Sequence, residues 1–320
     1  MTVSTDATRV PDFFIVGHPK SGTTALYEML RRHPQVFMPD LKEPRFLAGD
    51  MYFHSADATE LPSTIEEYLA LFAQAGEEQR VGEASPLYLA SAEAAARIAE
   101  LQPDARIIAV LREPASFLRS LHLQFVQSHI EDKNDLGKAI ALESERREGK
   151  QIPPSSRLRP QVLQYSDHVR YVEQLRRYHD IFTPERVLVL IYDDFRSDNE
   201  QTVKKVLRFL EIDDAAPIEA TEANPTVRVR SQQLDRLLRS VSMGRSPATR
   251  AVKGAVKSLT PRGLRRQALR STQSRVVYGK PQPPDEAIVL ELRRRFKGEV
   301  AALSEYLDRD LITLWGYDGV

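Results

Sequence analysis

One short segment near the start of the chain constrains the fold more than any other. Residues 13–24 read FFIVGHPKSGTT, an apolar run followed by a glycine-containing loop. The run from Phe13 to Val16 has the length and composition of a buried strand, and a helical pattern of apolar residues begins after Thr23. A strand, a tight loop and a helix start direct several backbone N–H groups at one point, which suits a phosphate group. The segment therefore predicts an anion-binding site that suits a nucleotide.

The residue order in this loop differs from that of an ATP-hydrolysing P-loop. A Walker A loop follows the pattern G-x-x-x-x-G-K-[ST]. Gly17 and Gly22 have the required spacing, but Thr23 stands at the position of the Walker lysine. The loop's lysine comes earlier, at Lys20, where it would approach a phosphate chain from a different side. The pattern therefore predicts a relative of the P-loop that serves another purpose. Hydroxyl donors come from Ser21, Thr23 and Thr24.

A second apolar run predicts another strand that ends beside the same site. Ile107 to Leu111 is a buried-strand pattern, Arg112 follows it directly, and Pro114 suits the first turn of a helix. Ser120 lies eight residues after Arg112, on that predicted helix. Ligands of open α/β sheets bind outside the carboxyl ends of the strands, so we expect Arg112 to lie near the loop that follows Val16.

Together the two segments resemble the nucleotide-binding motifs of sulfotransferases that use 3′-phosphoadenosine 5′-phosphosulfate (PAPS). Pro19 to Thr24 is similar to the family's 5′-phosphosulfate loop, and Arg112 with Ser120 is similar to its 3′-phosphate site. The resemblance covers most of the chain and implies an enzyme for which PAPS is the co-substrate and Lys20 a catalytic residue. No metal is expected, because a lysine and backbone amides can stabilise the developing charge. The implied PAPS-binding residues are Lys20, Ser21, Gly22, Thr23, Thr24, Arg112 and Ser120.

Glu43 is the candidate general base. Residues 42–47, KEPRFL, resemble the segment of the carbohydrate-type branch in which a glutamate before an aromatic pair takes the acceptor's proton, although Leu47 replaces the second aromatic. A glutamate of ordinary pKa, ~4.3, is a weak base for an alcohol, so burial or a nearby charge would have to raise that pKa. The alternative interpretation is a structural ion pair between Glu43 and Lys42 or Arg45.

Four other side chains remain weaker candidates. His18 lies in the loop beside Lys20, His33 lies at a predicted helix end, and His122 follows Ser120 by two residues; each is more typical of a structural histidine. Glu83 lies at the end of the second predicted strand and could orient Lys20, contact the acceptor or form an ordinary strand-end ion pair. These roles stay open at the level of sequence.

The order of the predicted elements indicates the fold class. Strand patterns at 13–16, 81–84, 107–111 and 187–192 alternate with helical patterns, which predicts an α/β domain with a mainly parallel central sheet flanked by helices. The resemblance implies a P-loop NTPase-like sulfotransferase architecture. We expect a flexible tail over 1–10 and one sulfotransferase domain over 11–320, with mobile or lid-like segments at 131–160 and 228–280.

Composition and charge limit the partners. The chain has 320 residues, with 45 basic and 45 acidic residues and no cysteine. The sequence shows neither a signal peptide nor an apolar run long enough to span a membrane, so a cytoplasmic protein is expected. Residues 228–275 nevertheless carry thirteen Lys or Arg and one acid. No aromatic residues interleave there, so a nucleic-acid partner is not expected. Residues 248–259 form a basic amphipathic pattern, typical either of a helix packed on the domain or of contact with a membrane surface.

The predicted reaction is transfer of a sulfuryl group from PAPS to a hydroxyl, or less readily an amine, of a carbohydrate, lipid or secondary metabolite. The alternative is a P-loop kinase or NTPase, for which Asp193 and Asp194 after an apolar run would serve as a Walker B strand end. Thr23 in place of the Walker lysine argues against that alternative, as do Arg112 and Ser120, for which ATP has no use.

Overall fold

Five parallel strands form the central sheet of the computed structural model, which describes residues 9–52, 61–154, 156, 158–215 and 285–320 and the backbone of 228–229 and 278–279. The spatial order of the strands is β2-β3-β1-β4-β5. A separate antiparallel pair joins β6 to β7. The strands are β1 (Phe13–Gly17), β2 (Val36–Phe37), β3 (Arg80–Ala84), β4 (Arg106–Leu111), β5 (Val187–Ile191), β6 (Arg228–Val229) and β7 (Tyr278–Gly279).

Eleven α-helices are described, and they cover both faces of the sheet. The helices are α1 (Thr23–Arg31), α2 (Ile65–Ala70), α3 (Ala94–Leu101), α4 (Pro114–Gln127), α5 (Leu136–Ala141), α6 (Glu143–Arg147), α7 (Tyr171–His179), α8 (Tyr192–Ser197), α9 (Asn199–Phe209), α10 (Glu286–Tyr306) and α11 (Leu311–Trp315). Short 3₁₀ turns lie at Pro86–Tyr88, Pro160–Leu163, Tyr165–Val169 and Pro184–Arg186.

The strands are apolar on both sides because each side faces a separate core. Along β1, Phe14 and Val16 pack in one cluster with α3, α4, α7 and α10, whereas Phe13 and Ile15 pack in the other with α1 and α9. Successive side chains of a strand point to opposite faces, so a strand buried on both faces reads as a continuous apolar run. This is why four of the five sheet strands could be recognised from sequence.

The fold-class prediction is confirmed: the sheet is parallel and carries helices on both faces. The four predicted strands are present, with ends shifted by one residue at most, and the helices predicted after Thr23 and near Pro114 are α1 and α4. Strand β2 was not predicted, because its two residues are too few to display a period.

Residues 131–160, predicted to be mobile or lid-like, contain the helices α5 and α6 and a buried ion pair. Arg146 on α6 donates from Nη1 and Nη2 to the two carboxylate oxygens of Glu131, at 2.7 Å each, and both side chains are fully buried. The hydroxyl of Tyr165 donates to the same carboxylate at 3.1 Å. The ion pair holds α6 to the start of the segment, and the hydrogen bond from Tyr165 joins the segment to the residues that follow it.

Several predictions concern residues that the structure does not describe. They include the flexible tail up to residue 8, the basic amphipathic helix at 248–259 and most of the lid-like segment 228–280. Within the described ranges, no helix is both long and apolar enough to cross a bilayer.

Candidate active site

The loop after β1 has a backbone that only particular residues can adopt. Gly17 has φ 132°, and a Cβ atom there would lie 2.4 Å from the carbonyl oxygen of Val110 on the neighbouring strand β4. Gly22 has φ 81°, and a Cβ there would meet the ring of Phe195 at 2.8 Å. Both positions favour glycine because a side chain would collide with its neighbours in a left-handed backbone region. The two glycines thus set the tight turn between them.

The N-terminus of α1 is open to a ligand, in contrast to that of α4. Gly22 is the N-cap of α1 and has no side chain that could accept a hydrogen bond from the first turn. At α4 the carboxylate of Glu113 accepts from the N–H groups of Ala115 and Ser116, at 3.1 and 2.7 Å. The first N–H groups of a helix attract an anion, and of these two helices only α1 leaves them without a side-chain cap.

Lys20 and Arg112 meet at the carboxyl ends of β1 and β4. The guanidinium of Arg112 donates from Nη1 to the carbonyl oxygen of Lys20 at 2.6 Å. Burial, and then the charge of Arg112, lowers the pKa of Lys20, and burial also lowers the pKa of Arg112. No carboxylate of the described residues forms an ion pair with either side chain. Two partly buried cations held together in this way are stabilised by an anion that binds between them.

Aromatic side chains hold Arg112 in place. Its guanidinium lies over the ring of Tyr192, 4.8 Å from the ring centre, and the hydroxyl of Tyr171 donates to its carbonyl oxygen at 2.9 Å. Ser120 is buried two turns into α4, and the buried hydroxyl of Ser21 has no hydrogen-bond partner among the described residues. A buried hydroxyl without a partner costs free energy, which a bound phosphate oxygen would recover. The cluster thus fits the anionic groups of PAPS.

The segment that carries Glu43 is fixed to the end of β3. The N–H of Glu43 donates to the carbonyl of Ala84 at 3.1 Å, and the N–H of Arg45 donates to Oγ of Ser85 at 3.2 Å. Two residues further on, the N–H of Leu47 donates to the hydroxyl of Tyr88 at 3.1 Å. The residues after β3 therefore position the candidate base, a role that sequence reasoning did not assign to them.

Glu43 forms two ion pairs with its neighbours in sequence. Lys42 Nζ lies 2.9 Å from Oε1, and Arg45 Nη2 lies 2.8 Å from Oε2. Burial by itself would raise the pKa of Glu43, but the charges of Lys42 and Arg45 outweigh it and hold the pKa below its usual value. The structural ion pair considered as an alternative is therefore present, and the raised pKa expected of a strong base is not.

Backbone strain coincides with these candidate residues. Lys20, Glu43 and Arg45 have φ values of 65°, 61° and 62°, in the left-handed region that non-glycine residues rarely adopt. Four other non-glycine residues share this conformation: His129, Glu211 and Asp308 each follow the C-cap of a helix, where it is common, and Gln151 lies in the connection after α6. The three at the site have no such explanation. Strained residues cluster at functional sites, so this observation independently supports Lys20 and Glu43 as functional residues.

The three histidine candidates are engaged in structural contacts. His18 is buried and stacks on Phe117 at 4.2 Å, and burial, followed by the charges of His168 and Arg112, lowers its pKa well below the usual value. His33 hydrogen-bonds the carbonyl of Asp213 at 3.0 Å. His122 hydrogen-bonds the carbonyl of Lys133 at 2.8 Å.

Glu83 lies at the end of β3, under the Glu43 segment. It is fully buried, it accepts a hydrogen bond from the hydroxyl of Tyr68 at 3.3 Å, and burial raises its pKa to about 7. Its contacts favour a structural role beneath the site over direct contact with an acceptor.

Asp193 and Asp194, the basis of the kinase alternative, bind residues near the C-terminal end of the chain. Both guanidinium Nη atoms of Arg309 donate to the carboxylate of Asp194, at 2.6 and 2.7 Å. The indole N–H of Trp315 donates to Asp193 at 3.0 Å. Nearby, the hydroxyl of Tyr317 donates to Glu113 at 2.7 Å. These carboxylates attach the end of the chain beside β4 and β5, which no local sequence pattern could reveal.

Comparison with known proteins agrees with this geometry. Residues 11–216 match the model of a family described as the sulfotransferase family. The chain belongs to the sulfotransferase family. The matched region contains β1 to β5, the Lys20 loop, Glu43 and the Arg112–Ser120 segment.

This sulfotransferase-family chain is also similar to curated proteins and to a solved structure. Over 247 residues it is 27% identical to human carbohydrate sulfotransferase 15, covering 63% of this chain and 44% of that protein. Over 108 residues it is 34% identical to mouse heparan sulfate glucosamine 3-O-sulfotransferase 3A1, covering 34% and 25%. The chain thus spans less than half the length of the curated relatives it matches. A sulfotransferase from Alicyclobacillus acidocaldarius has the same fold, with a TM-score of 0.65 and 24% identity over 96% of this chain and 99% of that one.

Proposed function

We propose that this chain transfers a sulfuryl group from PAPS to a hydroxyl group of an acceptor molecule. The observation that carries the proposal is the pair of partly buried cations, Lys20 and Arg112, beside the uncapped start of α1. PAPS bears a phosphosulfate at one end of its ribose and a phosphate on the 3′ oxygen, so it presents anions to both. Membership of the sulfotransferase family supports the same assignment.

In this proposal each residue has a distinct task. The first N–H groups of α1 and the hydroxyls of Ser21, Thr23 and Thr24 bind the 5′-phosphosulfate, while Arg112 and Ser120 bind the 3′-phosphate. The ammonium group of Lys20 faces the oxygen that bridges phosphorus and sulfur. As the bridging bond breaks, negative charge develops on that oxygen, and a fixed cation stabilises it.

Glu43 accepts the proton of the acceptor hydroxyl. Its pKa lies below the usual value, so at neutral pH the carboxylate is ionised and in the correct form to act as a base. The same low pKa makes it a weak base. We therefore expect proton transfer to occur late, when the new oxygen–sulfur bond has already made the hydroxyl more acidic.

The named relatives act on carbohydrates, which makes a sugar hydroxyl one class of acceptor to assay; lipid and secondary-metabolite hydroxyls are the others. No residue in the proposal calls for a metal ion. ATP-dependent phosphoryl transfer, in contrast, requires magnesium.

The test uses the purified chain with PAPS labelled with ³⁵S in the sulfuryl group and a panel of sugar, steroid and phenol acceptors, with magnesium or with EDTA. Label is expected in an acceptor under both conditions, and γ-³²P-labelled ATP is expected to label none. Lys20→Ala should abolish transfer, whereas Lys204→Ala, which removes a lysine paired with Glu200 on α9, should not. Magnesium-dependent cleavage of ATP, without binding of adenosine 3′,5′-bisphosphate, would refute the proposal.

A further inference from the structure

Two aromatic side chains at the end of α11 contact the immediate neighbours of Arg112. They belong to Trp315, the last residue of the helix, and to Tyr317, and both are buried. The N–H of Tyr317 donates to the carbonyl oxygen of Ile312 at 2.9 Å, which fixes the chain directly after α11. Both side chains therefore have defined positions close to the proposed 3′-phosphate site.

Tyr317 binds the residue that directly follows Arg112 in the sequence. Its hydroxyl donates to Oε1 of Glu113 at 2.7 Å. The same carboxylate accepts two N–H groups in the first turn of α4 and so caps that helix. The hydroxyl therefore helps to hold Glu113 at the start of α4, the helix that also carries Ser120.

Trp315 binds the residue that directly follows the aromatic support of Arg112. Tyr192, whose ring lies against the guanidinium, is the first residue of α8. The indole N–H of Trp315 donates to Oδ2 of the next residue, Asp193, at 3.0 Å. The end of α11 thus holds one carboxylate on each of the two elements that surround Arg112.

These two carboxylates are the groups that would compete with a phosphate for Arg112. Burial lowers the pKa of Arg112, whereas the charges of Asp193 and Glu113 act to raise it, so both carboxylates lie near the guanidinium. Among the described residues, neither forms an ion pair with Arg112. A carboxylate that turned onto the guanidinium would occupy the N–H donors that a phosphate needs, because arginine binds both anions in the same bidentate geometry.

Each carboxylate is instead held by a neutral donor. A tyrosine hydroxyl and an indole N–H donate hydrogen bonds without cancelling the negative charge of the acceptor. A carboxylate that rotated toward Arg112 would lose its existing hydrogen bond, and a buried donor would be left without a partner, which is unfavourable. The two contacts therefore keep the guanidinium donors available to a ligand.

We infer that Trp315 and Tyr317 are positioning residues of the donor site. They hold the carboxylates of Asp193 and Glu113 away from Arg112, which keeps Arg112 available for the 3′-phosphate of PAPS. The inference rests on the proposed function and adds two residues to the support of its donor site. Each of the two acts through a carboxylate, so their loss should affect the recognition of the 3′-phosphate and not that of the rest of the nucleotide.

The test is calorimetry with adenosine 3′,5′-bisphosphate and adenosine 5′-phosphate, which lacks the 3′-phosphate. Trp315→Phe and Tyr317→Phe each remove one hydrogen-bond donor and keep an aromatic ring. Each should weaken binding of the bisphosphate about three- to tenfold and leave binding of the monophosphate unchanged. Tyr306→Phe is the matched control, because it removes a hydroxyl of α10 that hydrogen-bonds His179 at 2.6 Å; it should keep the wild-type affinity ratio.

A double variant separates competition by the carboxylate from a general loss of packing. Asp193→Asn removes the charge, so adding it to Trp315→Phe should return the affinity ratio to within about twofold of the wild-type value. A packing defect would not be repaired in this way. The inference is wrong if both single variants keep the wild-type ratio, if they weaken both nucleotides equally, or if the double variant is no more selective than Trp315→Phe. Should Trp315→Phe fail to fold, Tyr317→Phe alone decides the outcome.

The wild-type protein and Arg112→Ala distinguish the two levels of failure. If the wild-type protein binds both nucleotides with equal affinity, the 3′-phosphate site of the proposed function is itself wrong. If the wild-type protein prefers the bisphosphate and Arg112→Ala removes that preference, while Trp315→Phe and Tyr317→Phe retain it, the positioning role is wrong and the proposed function stands.

Discussion

Replacement of Arg112 by alanine tests the nucleotide site most directly. In the structure Arg112 uses one Nη atom to bind the carbonyl of Lys20, which leaves the rest of its guanidinium for a ligand. A hydrogen bond to a charged group contributes about 1.5–3 kcal/mol, which corresponds to roughly ten- to a hundredfold in affinity. Because Arg112 is largely buried, we expect Arg112→Ala to weaken adenosine 3′,5′-bisphosphate binding toward the upper end of that range.

The assay is calorimetry with two nucleotides, adenosine 3′,5′-bisphosphate and adenosine 5′-phosphate. The second lacks the 3′-phosphate, so the wild-type protein should bind it more weakly, and Arg112→Ala should remove most of that difference. Arg112→Ala also removes the contacts to Tyr192 and Lys20, which should lower the free energy of unfolding by about 1–2 kcal/mol. That effect would weaken the binding of both nucleotides equally and leave the ratio of their affinities unchanged.

A matched control lies on the same strand. Arg106 begins β4, at the end opposite Arg112, and it too stacks on an aromatic ring and forms hydrogen bonds, here to Phe209 and Glu211. Arg106→Ala should lower stability by a similar amount and leave the affinity ratio of the two nucleotides unchanged. If Arg112→Ala also keeps the wild-type ratio, Arg112 does not bind the 3′-phosphate and the reasoning fails.

Three further changes probe other parts of the site and its support. Glu43→Gln keeps the shape of the side chain but removes the base, so kcat should fall about 10²–10⁴-fold with unchanged nucleotide affinity; wild-type turnover would mean that another group takes the proton. Glu83 has a pKa of about 7 in the fold, so it stabilises the fold below its unfolded pKa of ~4.3 and this stability is lost as the pH rises to about 7. From pH 5 to pH 8 the free energy of unfolding, measured with urea, should therefore fall by about 2 kcal/mol more in the wild type than in Glu83→Gln. An equal fall in both proteins would contradict a buried, protonated carboxyl group. Arg146→Met leaves Glu131 buried without its partner and should lower the free energy of unfolding by about 3–5 kcal/mol. Adding Glu131→Gln to Arg146→Met should restore part of the lost free energy of unfolding. If Arg146→Met alone costs less than about 1 kcal/mol, the ion pair is solvated.

The sequence determined the elements and the chemistry that lie within short segments. The strands could be predicted from the sequence because both faces of the sheet are buried, which makes each strand a continuous apolar run. The anion-binding loop from Gly17 to Thr24 could be predicted because it depends only on neighbouring residues: its glycines set the backbone turn, and the start of α1 follows directly. Parallel strands also bring their carboxyl ends to one edge, so the proximity of Lys20 and Arg112 could be expected from sequence.

Only the tertiary structure decided how the site is supported and what its groups can do. The pKa of Glu43 depends on two neighbouring charges and on its burial, and the conformation of its segment depends on bonds to Ala84 and Ser85. The carboxylates of Asp193 and Asp194 bind residues more than a hundred positions later in the chain. A cavity beside Glu43 is likewise lined by residues of five separate segments, between Pro19 and Leu158. Pairing, burial and cavity shape arise from contacts between distant residues, and a local pattern does not contain them.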